Sequence, residues 1–252
     1  MKKIFILSLV ALAALSCKED DTLYYNNITM GNIDREYIVS DQGNSFEILE
    51  NKVDLSAFEY GRVILACDVL KETGDGKYGI RLLDIASVLT KAPANASAIT
   101  SENDERNVDN PVNIREIWYS GGYINMFIEF AVKYGSDTKH LINLIYDDSP
   151  SAADDKIKTY TFTLRHNAFG ETPTEETGSE YKSSGGYVSF PVSDLIREDE
   201  ANVTLNWHAN KVMDGFYIFT ESEQKTKTFD WKRTDFEHPA LLPIRPTLKV
   251  CR

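Results

Sequence analysis

The residues Val112-Asn-Ile-Arg-Glu-Ile-Trp-Tyr119, the turn Ser120-Gly-Gly122 and the run Tyr123-Ile-Asn-Met-Phe-Ile-Glu-Phe-Ala-Val132 indicate the fold class. After the turn, one set of alternate positions is apolar: Ile124, Met126, Ile128 and Phe130. The positions between them are mixed: Tyr123, Asn125, Phe127 and Glu129. Successive side chains of a strand point to opposite faces, so this period of two predicts a half-buried strand paired through a tight turn.

The rest of the second half continues in short alternating segments. Strands are predicted at residues 140–146, 158–165, 187–192, 202–208, 216–220 and 226–231. Residues 194–197, behind Ser193 as an N-cap, are expected to form at most one short helix. Roughly eight short strands are typical of an antiparallel β-sandwich, which we place at residues 111–234. The following residues 235–252 contain three prolines that a central strand would not tolerate, so we expect an irregular surface tail.

The first half contains a second group of short strands. They are predicted at residues 36–39, 45–49, 62–70 and 77–83, with turns at 41–43 and 74–76. Residues 53–58 and 84–89 could each form a helical turn or a strand. Residues 91–111 change to Ala, Asn, Ser, Asp and Glu, with little that a core could use. We therefore expect a small β domain at residues 35–110 that ends in a linker.

The amino terminus has the layout of a secretory signal. Lys2 and Lys3 precede an apolar run at residues 4–15, which has about twelve residues where a membrane-spanning helix needs roughly 20. The residues Ala14-Leu-Ser-Cys17 resemble the lipobox of bacterial lipoproteins, with Ala14 where that motif usually has Leu. The resemblance implies removal of residues 1–16 and acylation of Cys17, for example by palmitate; two or three acyl chains hold a protein firmly on a membrane. The alternative is an ordinary signal peptide, with Cys17 incidental.

The residues after the cysteine contain a candidate export signal. Lys18-Glu19-Asp20-Asp21 resembles the signal that sends Bacteroidota lipoproteins to the outer face of the outer membrane. A charged run of this kind is also common in solvated tethers, so a periplasm-facing lipoprotein is the alternative. We expect residues 17–34, rich in Asn and Asp, to form a tether between lipid and fold. Asp21-Thr22-Leu23 resembles the Asp-Ser/Thr-apolar sites of protein O-glycosylation in Bacteroidota.

The net charge limits the classes of partner that the protein is expected to bind. Without residues 1–16 the chain loses two lysines and no acids, which leaves 25 basic and 39 acidic residues and a formal charge of −14. Nucleic acids and anionic lipids should be repelled by such a chain. Binding of single-stranded nucleic acid also needs a basic groove. We therefore expect no nucleic-acid partner.

The chain resembles the NigD-like lipoproteins in its whole plan of lipobox, small β domain, polar break and second β domain. The most telling residues are Ile117-Trp-Tyr-Ser-Gly-Gly-Tyr-Ile-Asn125, which are similar to an Ile-Trp-x-x-Gly-x-Tyr-Ile-Asn segment of that family. The resemblance runs from Cys17 to about residue 231. It implies an all-β protein with an OB-like small barrel followed by a β-sandwich. It implies no agreed activity, since the family takes its name from a bacteriocin-associated gene cluster, and a fold alone does not assign function.

Residues able to support catalysis or metal binding are few. His140, His166, His208 and His238 occur singly, without a metal-site spacing, and no nucleophile elbow, phosphate loop or dinucleotide motif is present. We expect no catalytic residues, no metal and no cofactor.

Cysteines and paired acids leave two alternatives open. Cys67 lies in an alternating strand and is expected to be a buried thiol, although a disulfide to Cys251 is the alternative. The acids at 147–148 and 154–155 could bind calcium or cleave glycosides. A solvated hairpin loop is the expectation that we favour.

Three aromatic residues around the Gly-Gly turn are the candidate ligand contacts: Trp118, Tyr119 and Tyr123. Core packing is the competing interpretation, and it is the expectation for Trp207. The leading hypothesis is a non-catalytic surface lipoprotein that binds a protein or a glycan. Its alternatives are a bacteriocin-associated immunity or accessory lipoprotein and, last, a carboxylate-based hydrolase.

Overall fold

A computed structural model describes residues 23–147 and 157–233 of the chain, with side chains from Thr29 onward. These residues form two β domains, which confirms the all-β prediction. Apart from strands, the described residues form three short 3₁₀ helices at Ala96–Ala98, Glu105–Asn107 and Gly178–Glu180. Within them, no helix has the length and apolarity needed to span a membrane.

The first domain is a closed five-stranded barrel. Its strands are β1 (Leu23–Asp34), β2 (Tyr37–Ser40), β3 (Ser45–Asn51), β4 (Tyr60–Gly74) and β5 (Lys77–Ser87). They pair in the ring order β1-β2-β3-β5-β4, in which only β3 and β5 run parallel. Side chains at alternate strand positions fill the barrel interior: β2 buries Ile38 and exposes Tyr37 and Val39. The OB-like barrel predicted from the sequence is therefore present.

The prediction of a tether over residues 17–34 is wrong for its second part. Residues 23–34 form β1, which pairs with β2 on one side and β4 on the other. The polar composition concealed this strand because a backbone ladder needs no apolar side chain, and a barrel without β1 would leave two open edges. Burial of Met30 and Ile33 supplies the apolar contacts.

The second domain is a sandwich of two sheets, as predicted. One sheet contains β6 (Leu89–Thr90), β12 (Tyr181–Pro191), β9 (Tyr123–Lys133) and β8 (Asn113–Ser120), in that order. The other contains β14 (Phe216–Lys232), β13 (Glu200–Met213), β11 (Lys158–Asn167), β10 (Leu141–Tyr146) and β7 (Ala94–Asn95). Facing residues of the two sheets form one core, whose largest members include Phe162, Phe190 and Trp231.

Two details of the sandwich differ from the expectation. Strands β11 and β13 pair in parallel, because the chain crosses to the other sheet as β12 between them. Residues 194–197 form a turn and an irregular segment in place of the short helix expected there. Ile196 is fully buried in this segment and fixes its path.

The segment predicted as a linker is part of the sandwich. Strand β6 pairs with β12, and β7 pairs with β10. Asn95 and Asp104 cap the two 3₁₀ helices that follow β7, since each side chain accepts a hydrogen bond from a backbone N–H two residues on. Polar residues therefore order this segment through hydrogen bonds, and the boundary between the domains lies near Val88, not at residue 110.

Candidate functional site

Arg62 joins the two domains. It lies on the outside of the barrel strand β4, yet its side chain is only 1% exposed because the sandwich covers it. Its Nη1 and Nη2 donate to the two carboxylate oxygens of Asp41 at 2.8 and 2.6 Å. From the sandwich, Ser189 Oγ accepts from Nε at 2.9 Å and Asn125 Oδ1 accepts from Nη2 at 2.8 Å. The ring of Tyr123 lies 3.9 Å from the guanidinium carbon.

The residues 117–125 that carry the family resemblance build this junction. Trp118 packs against the apolar contact between the domains, formed by Met30, Ile64 and Val88. Gly121 has a φ of 58°, and a Cβ there would lie 2.7 Å from Asp41 Oδ1, so this close approach of two domains requires glycine. The residue pattern marks this segment, but a single sequence contains no signal for the residues of the other domain against which it packs.

The three aromatic residues predicted as ligand contacts lie on two sides of one sheet. Trp118 and Tyr123 face the junction. Tyr119 packs against the sandwich core, with its ring centroid 4.2 Å from that of Phe229, and burial raises the pKa of its hydroxyl. All three are half-buried, and they do not form one shared surface. Their contact with a ligand stays a prediction. Trp207 packs, half-buried, against the sandwich core.

Two histidines predicted to be isolated are in contact. His140 Nδ1 and His166 Nε2 are 2.9 Å apart, and Phe130 packs against both rings. His166 Nδ1 lies 3.0 Å from the carbonyl oxygen of Pro111. At the other end, His140 Nε2 lies 3.8 Å from Glu171 Oε2. Sequence spacing could not reveal this histidine chain, because His140 directly precedes β10, His166 lies on the paired strand β11 and Glu171 lies in a separate loop.

Glu171 is held by one carboxylate oxygen. Its Oε1 accepts hydrogen bonds from Ser136 Oγ and from Thr138 Oγ1, the latter at 2.7 Å, and these bonds lower the pKa of the carboxyl. Burial lowers the pKa of His140, and it lowers the pKa of His166 to about 4. The carboxylate is therefore charged at neutral pH, and both rings are neutral.

A cavity of about 150 Å³ adjoins the histidine chain and is lined by Glu171, His166, Asn210 and Phe219, among others. Two of its lining residues have a buried side-chain atom without a hydrogen-bond partner among the described residues: Glu171 Oε2 and Asn210 Nδ2. The nearby His140 Nε2 is buried and unpartnered in the same way. Among the described residues, no group of three His, Cys, Asp or Glu side chains is arranged so that it could hold a metal ion.

The outer face of the barrel carries a row of exposed residues. Tyr37, Asp34 and Tyr60 are in register across β2, β1 and β4, so their side chains share one face. The two tyrosines are 54% and 61% exposed. Arg35 Nε donates to the Tyr60 hydroxyl oxygen at 2.9 Å and orients that ring.

Cys67 lies buried in the barrel core, where it has no disulfide partner among the described residues, and desolvation raises its pKa to about 12. This confirms the expected buried thiol. Several other predictions concern residues outside those that the structure describes: Cys17, Lys18, Glu19, Asp20, Asp21, Asp148, Asp154, Asp155, His238 and Cys251.

Comparisons with known proteins agree with the architecture. A model of the NigD-like C-terminal beta sandwich domain matches residues 95–220. Among solved structures, a NigD-like immunity protein from Bacteroides caccae shares 16% identity with a TM-score of 0.57, over 82% of this chain and 95% of that one. A candidate toxin-related protein from Parabacteroides distasonis shares 22% identity with a TM-score of 0.57, over 82% and 93%.

A candidate lipoprotein from Bacteroides fragilis shares 15% identity with a TM-score of 0.58, over 81% of this chain and 96% of that one. At these identities the structures establish a common fold. No curated protein matches the chain. Because the matched family domain spans half of the chain and coincides with the observed sandwich, the chain belongs to the NigD-like family.

Proposed function

We propose that this protein is a non-catalytic envelope lipoprotein, anchored through Cys17 on the outer face of the outer membrane, whose barrel binds a neutral glycan. The observation that carries the proposal is the exposed row of Tyr37, Asp34 and Tyr60. An aromatic ring offers an apolar face for the C–H face of a sugar, and a carboxylate between two rings accepts hydrogen bonds from its hydroxyls.

The polar residues around this row define the ligand class. Glu47 lies beside Tyr37 on β3, and Asn32 is exposed one step along β1 from Asp34. Carboxylate and amide groups between aromatic rings suit a polyhydroxylated ligand better than an apolar one, and the acidic side chains disfavour a negatively charged sugar. OB-like barrels in general bind oligosaccharides on the face formed by their second and third strands, where Tyr37 and Glu47 lie.

A glycan array with the solubilised mature protein tests the ligand. We expect binding to neutral glycans that the Y37A/Y60A double variant weakens roughly tenfold or more, which corresponds to about 1.4 kcal/mol. The matched control is Y134A, which removes a tyrosine that is 59% exposed on the sandwich. Equal loss in the control, or retention of binding in the double variant, contradicts the proposal.

The anchor has a separate test. A Cys17→Ala variant should leave the membrane fraction, because its acyl chains are lost. Protease added to intact cells should degrade the native protein if it faces outward. A chain that is cleaved only after lysis faces the periplasm, and the surface assignment is then wrong.

A second candidate function is bacteriocin immunity or an accessory role. The similar folds of an immunity protein and a candidate toxin-related protein favour it. Deletion of the gene followed by bacteriocin challenge tests it: a role in immunity predicts a sensitive strain, and unchanged resistance removes this candidate.

A further inference from the structure

The cavity beside Glu171 has the chemistry of a small-molecule site, separate from the glycan face of the barrel. We propose that it binds a small amino alcohol or amino sugar through a protonated amino group and a hydroxyl group. The cavity measures about 150 Å³, which suits a ligand of this size class, and it is lined from two loops and from strands of both sheets.

The direction of hydrogen bonds along the histidine chain is fixed from one end. The carbonyl oxygen of Pro111 can only accept, so His166 Nδ1 must carry the hydrogen that lies between them. The other nitrogen of the neutral His166 ring then accepts from His140 Nδ1. Neutral His140 consequently has a bare Nε2, and this nitrogen faces a carboxylate oxygen of Glu171 at 3.8 Å.

Two acceptors therefore face each other without a hydrogen between them. Both His140 Nε2 and Glu171 Oε2 are buried and unpartnered among the described residues, and the His140 side chain is 2% exposed. A donor with two or more hydrogens and a positive charge satisfies both atoms at once. A primary ammonium group has three such hydrogens and forms short, charge-assisted hydrogen bonds to carboxylates.

The remaining lining residues define the rest of the ligand. Asn210 is 3% exposed, and its unpartnered Nδ2 requires an acceptor such as a hydroxyl oxygen. Phe219 lines the same cavity and favours a cation near its ring. A ligand carboxylate would be repelled by Glu171, so an amino alcohol or amino sugar fits this set better than an amino acid.

The test uses the full mature chain labelled with ¹⁵N, with ethanolammonium as the probe and ethylene glycol as its neutral match. In the free protein we expect the His140 Nε2 resonance to report an unprotonated ring nitrogen. Millimolar ethanolammonium should shift this resonance in a saturable way, and ethylene glycol should not. E171Q should weaken the effect tenfold or more, whereas E176Q, an exposed acid on the same loop, should leave it unchanged.

Several results would overturn the inference. Among them are a proton on His140 Nε2 in the free protein, equal shifts with both probes, and equal losses in the two Glu variants. If ethanolammonium causes no saturable shift up to about a hundred millimolar, water alone satisfies the buried polar atoms and the inference is wrong. The glycan array reports on a different surface, so neither result depends on the other.

Discussion

The junction and the histidine cavity are both built from buried polar groups, but they differ in how completely those groups are paired. At the junction, the Arg62 guanidinium bonds to Asp41, Ser189 and Asn125, and none of these side chains has an unpartnered buried atom among the described residues. In the cavity, Glu171, His140 and Asn210 each keep one such atom. A completed network fixes a structure, whereas an incomplete one leaves groups available to a ligand.

Removal of Arg62 should have the largest effect. In Arg62→Met the carboxylate of Asp41 stays buried without its partner, which costs about 3–5 kcal/mol of unfolding free energy. Urea unfolding measures this loss, and limited proteolysis should show cleavage between the domains near Val88. The double variant D41L/R62M removes both charges and should recover much of the loss. An Arg62→Met variant as stable as the native protein would show that the pair does not hold the junction together.

Acid should lower the unfolding free energy through the buried histidines beside the cavity. Burial holds the pKa of folded His166 at about 4, below the 6.5 of an exposed histidine, so the unfolded chain binds more protons between these pH values. Unfolding free energy should fall as pH drops from about 6.5 and lose about 3 kcal/mol below pH 4. The lowered pKa of His140 acts in the same direction, and Glu171 is the charged group that faces it.

Denaturant unfolding from pH 7 to pH 4 measures this effect. The His166→Gln variant should lose less stability on acidification than the native protein does. His208 Nδ1 also lies within hydrogen-bonding distance of a backbone carbonyl, so His208→Gln is the control and should retain the acid-sensitive component. Parallel curves for native protein and His166→Gln contradict the prediction.

Gly121→Ala should have a smaller effect at the junction. The added Cβ would lie 2.7 Å from Asp41 Oδ1. In addition, the backbone φ of 58° at position 121 is strained for any residue with a side chain. We expect a loss of about 1–3 kcal/mol. Gly135 has a φ of 73° with open space around a Cβ, so Gly135→Ala measures the backbone strain alone. Equal losses in the two variants would show that contact with Asp41 contributes nothing.

The sequence predicted the elements whose side chains alternate, and it failed where backbone or polar groups form the structure. The alternating run at Tyr123–Lys133 predicted a strand and its buried face. Strand β1 and the segment after Val88 were missed because polar residues interrupt their apolar pattern, while backbone pairing holds both in place and a few buried side chains anchor β1. The contacts of Arg62 with Asn125 and of His140 with His166 join distant residues, and a single sequence contains no signal for such pairs.

Glu171→Gln should have the smallest effect on stability and the opposite sign to changes at the junction. The amide oxygen of Gln can still accept from Ser136 and Thr138, and its NH₂ group can donate to His140 Nε2, which closes the network that the carboxylate leaves open. We therefore expect an unchanged or raised melting temperature, while Asp41→Asn, which weakens a completed network, should lower it. A clear loss of stability in Glu171→Gln would show that the carboxylate is already satisfied in the native protein. The cavity would then resemble the junction, with no groups left for a ligand.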